Sequence, residues 1–219
     1  MILSDFEYYK TDLGVLLCGD CLEILPLIKE PISVTFADPP YNIGFDYDGY
    51  DDNKSFSEYN NLCRKWISIL KNKSKLLLIT PGTNNYYLYD HRSPLGITYW
   101  LNRTKRMRAK IHHFSKIERV YIYGELDNKY PMDYIIADYK KDPLAEGAPC
   151  PKPIELYEKM IINQYPGEII LDPFASSGTI GVVGERLQRP WIGIELSEKY
   201  CEIAKKRIEA EANQIKLDL

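Results

Sequence analysis

No apolar run in this chain approaches the length of a bilayer span, and its N-terminus lacks a basic segment followed by an apolar one. Those absences set the expectation of a cytoplasmic protein with no membrane partner. Cysteine is sparse: Cys18, Cys21, Cys63, Cys150 and Cys201 form an odd, scattered set, which argues against a disulfide scaffold and suits a reducing compartment. Cys18-Gly-Asp-Cys21 is a CxxC, yet neither a second pair nor a histidine partner accompanies it, so it reads as structural. The three histidines (His91, His112 and His113) lack acidic or cysteine partners at ligand spacing, and no metal is expected. Internal repeats, low-complexity linkers and a GxGxxG turn are also missing, which leaves one catalytic-sized domain spanning residues 1–219.

The 219 residues are 45% apolar, enough for one substantial α/β core. Period-2 and short apolar runs predict strands at Val15–Leu17, Ser33–Ala37, Lys75–Thr80, Arg119–Tyr123, Tyr134–Tyr139, Ile169–Leu171 and Trp191–Ile194. Helical spacing predicts helices at Cys21–Lys29, Phe56–Lys71, Pro153–Gln164, Gly178–Leu187 and Ser197–Glu211. Their alternation implies an α/β fold of the Rossmann-like kind, with a mostly parallel seven-stranded sheet covered on both faces.

The most informative stretch is Asp38-Pro39-Pro40-Tyr41-Asn42, which closes the apolar run Ser33–Ala37. Ligands of open α/β sheets bind at the C-terminal edge of such strands. The stretch offers a carboxylate, a proline carbonyl and an aromatic plate within four residues. Those parts suit an exocyclic amino group on a flat ring. The lone pair of such an amine is delocalised into the ring, and acceptors on its N–H groups return electron density to nitrogen. Tyr41 could stack on a base taken out of a duplex. The same letters also suit a strand ending in a Pro-Pro turn with an Asp cap.

A second motif runs from Glu168 to Gly184. An apolar strand ends at Asp172, and a small-residue turn (Ala175 to Thr179) opens a helix whose first N–H groups point toward a ligand. Arg189 to Leu196 then reads as a strand ending in Glu195, 17 residues after Gly178. That is close to the spacing at which an acid reaches ribose hydroxyls, so a dinucleotide site stays open on this segment alone.

DPPYN, DPFASSGT and GIEL together resemble the amino-methyltransferases of DNA that use S-adenosyl-L-methionine. DPPYN precedes the cofactor motif, as in that family's circularly permuted β group. Leu16–Leu25 is similar to the family's opening strand-Gly-Asp, and Ala148–Pro153 (APCPKP) lies where members carry HPTQKP. The resemblance implies a catalytic tetrapeptide Asp38-Pro39-Pro40-Tyr41, in which Asp38 and the carbonyl of Pro39 accept from the target amine and Tyr41 stacks. It implies that Asp20 and Cys21 recognise the cofactor's adenine. Asp172, Phe174, Ser177, Gly178 and Thr179 would surround its methionine portion, Glu195 would hold its ribose, and Lys152 would help enclose the methionine end. Ser176 departs from the family glycine, and Ala148, Cys150 and Pro151 replace His, Thr and Gln.

The implied activity is methyl transfer to adenine N6 in a flipped-out base. Asp at the first tetrapeptide position is commoner for adenine and Ser for cytosine, which leaves cytosine-N4 as the alternative. A protein-glutamine methyltransferase fits less well, because that family's tetrapeptide starts with Asn and follows the cofactor motif. A non-catalytic cofactor-binding partner subunit is a further reading, prompted by Ser176.

Charge is unevenly spread. Between His91 and Arg119 lie eight of the 28 basic residues and only one of the 31 acidic ones, Glu118. Family members usually insert a target-reading region before the APCPKP-like turn, but here only the seven residues Lys141–Gly147 are available. Contact with DNA is therefore expected from a basic insertion at about 83–119, with Arg103, Lys105, Arg106, Arg108 and Lys110 as the phosphate or base contacts, or else from the loop Ile43–Ser57 or a second subunit. The loop Ile43–Ser57 holds Asp46, Asp48, Asp51 and Asp52, which would repel phosphate; it is expected to act as a lid. Family habit adds a homodimer and a companion restriction enzyme as candidate partners.

Overall fold

A computed structural model describes residues 1–90, 94–104, 107–108, 114–130 and 133–218. Its strands are β1 (Glu7–Lys10), β2 (Gly14–Cys18), β3 (Ile32–Ala37), β4 (Asp46–Tyr47), β5 (Tyr50–Asp51), β6 (Ser74–Ile79), β7 (Gly96–Leu101), β8 (Met107–Arg108), β9 (Phe114–Ser115), β10 (Ile117–Gly124), β11 (Tyr134–Ile136), β12 (Ile170–Asp172) and β13 (Trp191–Glu195). Its α-helices are α1 (Cys21–Ile24), α2 (Phe56–Lys73), α3 (Tyr87–Asp90), α4 (Ile154–Ile161), α5 (Thr179–Arg186) and α6 (Glu198–Asp218).

The main sheet has nine strands among the described residues, in the order β1-β2-β13-β12-β3-β6-β10-β7-β11, so the expected count of seven is corrected upward. The additional strands are β1 and β7. Each pairs antiparallel with a neighbour, β1 with β2 and β7 with β10, and both are partly exposed. Without a fully apolar run, a half-buried strand leaves a weak signal in sequence. Because β7 and the start of β10 lie within residues 83–119, part of that basic segment is sheet. Helix α1 is also shorter than expected: Pro26 interrupts it, and Leu25–Leu27 continues as a 3-10 turn.

Strands β2, β13, β12, β3 and β6 form a contiguous parallel block. Alternation along the strands sends side chains to two cores. Leu76 and Leu78 of β6 join the core beneath α4, α5 and α6, whereas Leu77 and Ile79 join the one beneath α1, α2 and α3. Helix α2 starts at a capping box between Ser55 and Glu58 and buries Tyr59, Cys63, Trp66, Ile67 and Leu70 at helical spacing. Helix α5 packs closely on β13, and a Cβ at Gly184 would lie 2.3 Å from the Trp191 ring. Among the described residues, no helix is long and apolar enough to cross a membrane.

Candidate active site

Five parallel strands that all point one way deliver their C-terminal ends to one edge. Asp20 follows β2, Asp38 follows β3, Thr80 follows β6, Asp172 ends β12 and Glu195 ends β13. Pairing of β12 with β3 in register (Ile170 opposite Val34) brings segments more than 130 residues apart to adjacent positions. A single cleft opens there. Asp20, Cys21, Asp38, Pro39, Pro40, Tyr41, Lys152, Phe174, Ser177, Thr179 and Glu195 all line it. Asp172 and Gly178 stand behind this wall and shape it.

On the β3 side, the Asp38 carboxylate is the hub. Lys152 Nζ donates to both its oxygens at 2.8 Å, and Thr80 Oγ1 donates to Oδ1 at 2.5 Å. The Tyr41 hydroxyl also reaches Asp38 Oδ1, lies 2.7 Å from Glu118 Oε1, and accepts from Lys152 Nζ at 2.8 Å. Burial works against the charge of Lys152, but Asp38 and Glu118 outweigh it, and the ammonium holds its proton more tightly than usual. Burial and the same two carboxylates push the Tyr41 phenol well above its ordinary range, so it stays protonated.

The main chain of this segment is pinned as well. Tyr59 Oη donates to the Pro40 carbonyl, Asn85 Nδ2 donates to the Tyr41 carbonyl, and the Tyr41 ring lies on Gly82, where a Cβ would be 2.7 Å from it. The Lys152 ammonium thus rests on Asp38, at the carboxylate that sequence assigns to the target amine.

The loop after Tyr41 forms another wall, with Ile43, Phe45, Tyr47, Asp48 and Tyr50 facing the cleft. Its four acids are not equivalent. Asp52 is buried and accepts from the backbone N–H groups of Asn42, Ile43 and Phe45, which makes it the organiser of the loop. Asp48 accepts from Ser197 Oγ at 2.5 Å and ties the loop to the start of α6.

On the β12 side, Gly178 adopts the left-handed conformation (φ 75°) as the N-cap of α5, and a Cβ there would lie 2.7 Å from Ala204. Both Glu195 oxygens are used: the N–H groups of Ser176 and Ser197 donate to them at 2.8 and 2.9 Å. Burial pushes the Glu195 carboxyl up despite these bonds. Arg207, which sequence reasoning missed, is buried under the turn, where it donates to Ser177 Oγ at 2.9 Å and pairs with Asp142 at 2.9 Å. Tyr157, Trp66 and Tyr200 also line the cleft without any motif to announce them. Glu118 did leave a trace in sequence, as the lone acid in a basic run.

Ser176, the departure from the family turn, has φ 45°. A left-handed residue with a Cβ costs about 1–2 kcal/mol relative to glycine. Ser176→Gly is therefore expected to raise Tm by about 2–8 °C, measurable by calorimetry. The buried Oγ of Ser176 and the hydroxyl of Tyr50, both in the cleft wall, have no hydrogen-bond partner within the described protein. Unpaired buried hydroxyls facing a cleft between an acid-ended strand and a helix N-terminus fit a polar, ribose-bearing ligand such as S-adenosyl-L-methionine.

Asp172 is fully enclosed; burial pushes its carboxyl up to about 7, against the Phe174 N–H and Tyr157 hydroxyl that donate to it at 2.8 and 2.9 Å. The folded chain therefore keeps a proton that the unfolded chain has already released above about pH 4. Stability from this group falls as pH rises from about 4 to about 7 and is level above that. Asp172→Asn should flatten that slope in urea melts recorded across the interval. An unchanged slope would refute the assignment.

Of the predicted DNA contacts, Arg103 makes an ion pair with Asp138, donating from Nε at 2.9 Å and Nη2 at 2.5 Å, while its side chain stays mostly exposed. Lys105, Arg106 and Lys110 lie outside the described residues, as do the Arg108 side chain and the three histidines. Arg119 sits 4.0 Å from the centre of the Tyr86 ring, beside the exposed Tyr87 and Phe56.

Comparison with known proteins identifies the family. A family profile described as DNA methylase, N6_N4_Mtase, matches residues 32–85 and 97–206. The chain is 29% identical to the Type II methyltransferase M.BamHI of Bacillus amyloliquefaciens over 96% of its own length, but spans only 60% of that relative. It is also 29% identical to M2.DpnII of Streptococcus pneumoniae, covering 96% of itself and 95% of the relative. In fold it is similar to the cytosine-N4-specific PvuII DNA methyltransferase (TM-score 0.74, 19% identity, 95% and 94% of the two chains). It is likewise similar to M1.HpyAVI in complex with S-adenosylmethionine (TM-score 0.66, 21% identity, 90% and 100%). The chain belongs to the N6/N4 DNA methylase family, whose methyl donor is S-adenosyl-L-methionine.

Proposed function

We propose that this chain is a DNA methyltransferase that modifies the exocyclic N6 amine of an extruded adenine. One observation carries the reading: Asp38 and Pro39, after β3, and Phe174 to Ser177, after the adjacent β12, line the same cleft. When bound, S-adenosyl-L-methionine supplies an electrophilic methyl group. Asp20, Phe174, Ser177, Thr179 and Glu195 hold it, and Gly178 lets the turn approach closely.

Asp38 and the Pro39 carbonyl accept the two N–H groups of the target amine, which concentrates electron density on its nitrogen. The Tyr41 ring, fixed at its hydroxyl and at its carbonyl, offers a face for the base. As the bond from nitrogen to the methyl carbon forms, the bond from that carbon to the donor's sulfur would break and leave the neutral thioether; the amine gains positive charge, which the Asp38 carboxylate stabilises before the surplus proton passes to water. The chemistry is positioning and electrostatics, and a covalent enzyme intermediate is not required. Occupation of Asp38 by Lys152 means that the incoming amine exchanges with an ammonium already seated there.

Residues 83–119 remain our choice for duplex contact. Exposed Tyr86, Tyr87 and Phe56 with Arg119 supply stacking faces and a cation. Cytosine-N4 is the second reading, favoured by the fold neighbour that bears that specificity. Incubating the purified chain with methyl-labelled cofactor and unmodified genomic DNA, then identifying the nucleoside by mass spectrometry, tests both. N6-methyl-2′-deoxyadenosine is expected; N4-methyl-2′-deoxycytidine selects the alternative, and absence of label refutes the activity.

A further inference from the structure

Glu118 belongs to none of the motifs above, yet its carboxyl is only 3% exposed and is packed against Tyr41 and Lys152, two residues that line the cleft. It sits on β10, opposite Trp100 of β7, with the Lys152 ammonium 3.8 Å away and the Tyr41 hydroxyl at 2.7 Å. Lys152 also lies 5.6 Å from the Trp100 ring, so one wall of aromatic and backbone groups closes round the pair.

Counting protons decides what Glu118 must be. The Tyr41 hydroxyl has one proton and two carboxylate neighbours, Asp38 Oδ1 and Glu118 Oε1. Lys152 already donates to the same phenol oxygen. One of the two carboxyl groups must then supply a proton of its own, or two lone pairs would face each other in a buried site. Asp38 receives two N–H bonds from Lys152 and an O–H bond from Thr80, which suits an anion. Glu118 has no cation within hydrogen-bond distance among the described residues and is the more deeply buried of the two.

We infer that Glu118 is a positioning residue for methyl transfer. As a neutral carboxylic acid it donates to the Tyr41 hydroxyl, which turns that hydroxyl's own proton onto Asp38. Burial, the first cause acting on it, raises its carboxyl pKa; Asp38 adds to this, and Lys152, the Tyr41 hydroxyl and the Gly82 N–H oppose it. The consequence is specific. Tyr41 accepts from Lys152 and Glu118, donates to Asp38, and has no rotational freedom left. With Glu118 neutral, Asp38 keeps the single negative charge beside Lys152, so the anionic acceptor is presented where the target amine arrives. A second anion 2.7 Å from the phenol would instead compete with Asp38 for its proton.

This role rests on the methyltransferase reading, and its test has a readout that does not. Glu118→Gln keeps a neutral donor in place, since its amide N–H can still reach the Tyr41 oxygen; Glu118→Ala removes it. Infrared spectra of the unliganded parent chain in H2O and D2O should contain a deuterium-sensitive carboxylic-acid carbonyl band that Glu118→Gln lacks. In methyl transfer, kcat of Glu118→Gln is expected within about threefold of the parent. Glu118→Ala should fall about tenfold or more, the worth of one buried neutral hydrogen bond. Cofactor Kd should be unchanged in both.

Identical carbonyl bands in parent and Glu118→Gln overturn the inference, whether or not Glu118→Ala folds. So does a Gln variant as impaired as the Ala variant. Absence of any transfer by the parent chain would refute the proposed function while leaving the infrared result to stand by itself.

Discussion

Asp38→Ala is expected to lower kcat for methyl transfer about 10³-fold while cofactor Kd moves less than about threefold. The first number follows from the loss of a preorganised acceptor aimed at charge that develops in the transition state, a class of change that costs about 10²–10³-fold or more. The second follows from geometry. Asp38 follows β3 and, among the described residues, makes no hydrogen bond to the Ala175–Glu195 turn system, whereas Lys152, Thr80 and Tyr41 are its partners.

The same substitution strips Lys152, 9% exposed, of its bidentate carboxylate. Breaking a buried pair costs about 3–5 kcal/mol, and the partial exposure of Asp38 places this case toward the lower end. Asp38→Asn helps to separate chemistry from folding. It keeps an oxygen for Thr80 and Lys152 but loses the charge, and should melt above Asp38→Ala while kcat falls about 10²-fold. Single-turnover transfer and calorimetric cofactor titration read both quantities. Turnover of Asp38→Ala within tenfold of the parent would remove Asp38 from the mechanism.

Glu195→Ala should do the reverse. Cofactor Kd is expected to rise about 10²-fold, with kcat at saturating cofactor within about tenfold of the parent. Glu195 accepts two backbone N–H groups, from Ser176 and Ser197, and so holds the turn and the start of α6 together at one carboxylate. Hydrogen bonds to a charged group are worth about 1.5–3 kcal/mol, and each 1.4 kcal/mol is about tenfold in affinity. Loss of the proposed ribose contact and a looser turn therefore add to a two-decade effect. Quenching of Trp66, which lies against Phe174 in the cleft, is a convenient signal for the titration. If Kd stayed within threefold, the ribose assignment and the cleft orientation would both fail. Opposite signatures from Asp38 and Glu195 would show that one cleft has two separable ends.

These effects were visible from sequence because the residues involved occupy strand ends. Asp38 and Glu195 each follow an apolar run, and a carboxylate there can only be a terminator or a ligand group. Ser176 was legible for a related reason: a serine in a turn of small residues, at φ 45°, is the position where a Cβ is costly. The strands predicted at β2, β3, β6, β12 and β13 were found, since each carries a short, mostly apolar run that is largely buried. Strands β1 and β7 were not, because they are partly exposed and their alternation is blurred by Tyr8, Tyr9 and Tyr99.

Sequence by itself determined the alternating α/β order, the acid at the end of each functional strand and the glycine at the helix entry, because these are local consequences of periodicity and backbone sterics. Tertiary structure alone decided that Lys152 sits on Asp38, that Glu118 shares the Tyr41 hydroxyl, and that Arg207 braces Ser177. Those residues are separated by 30 to 114 positions in the chain. Which charged groups meet in a buried site depends on strand order and register, and no local pattern encodes that order.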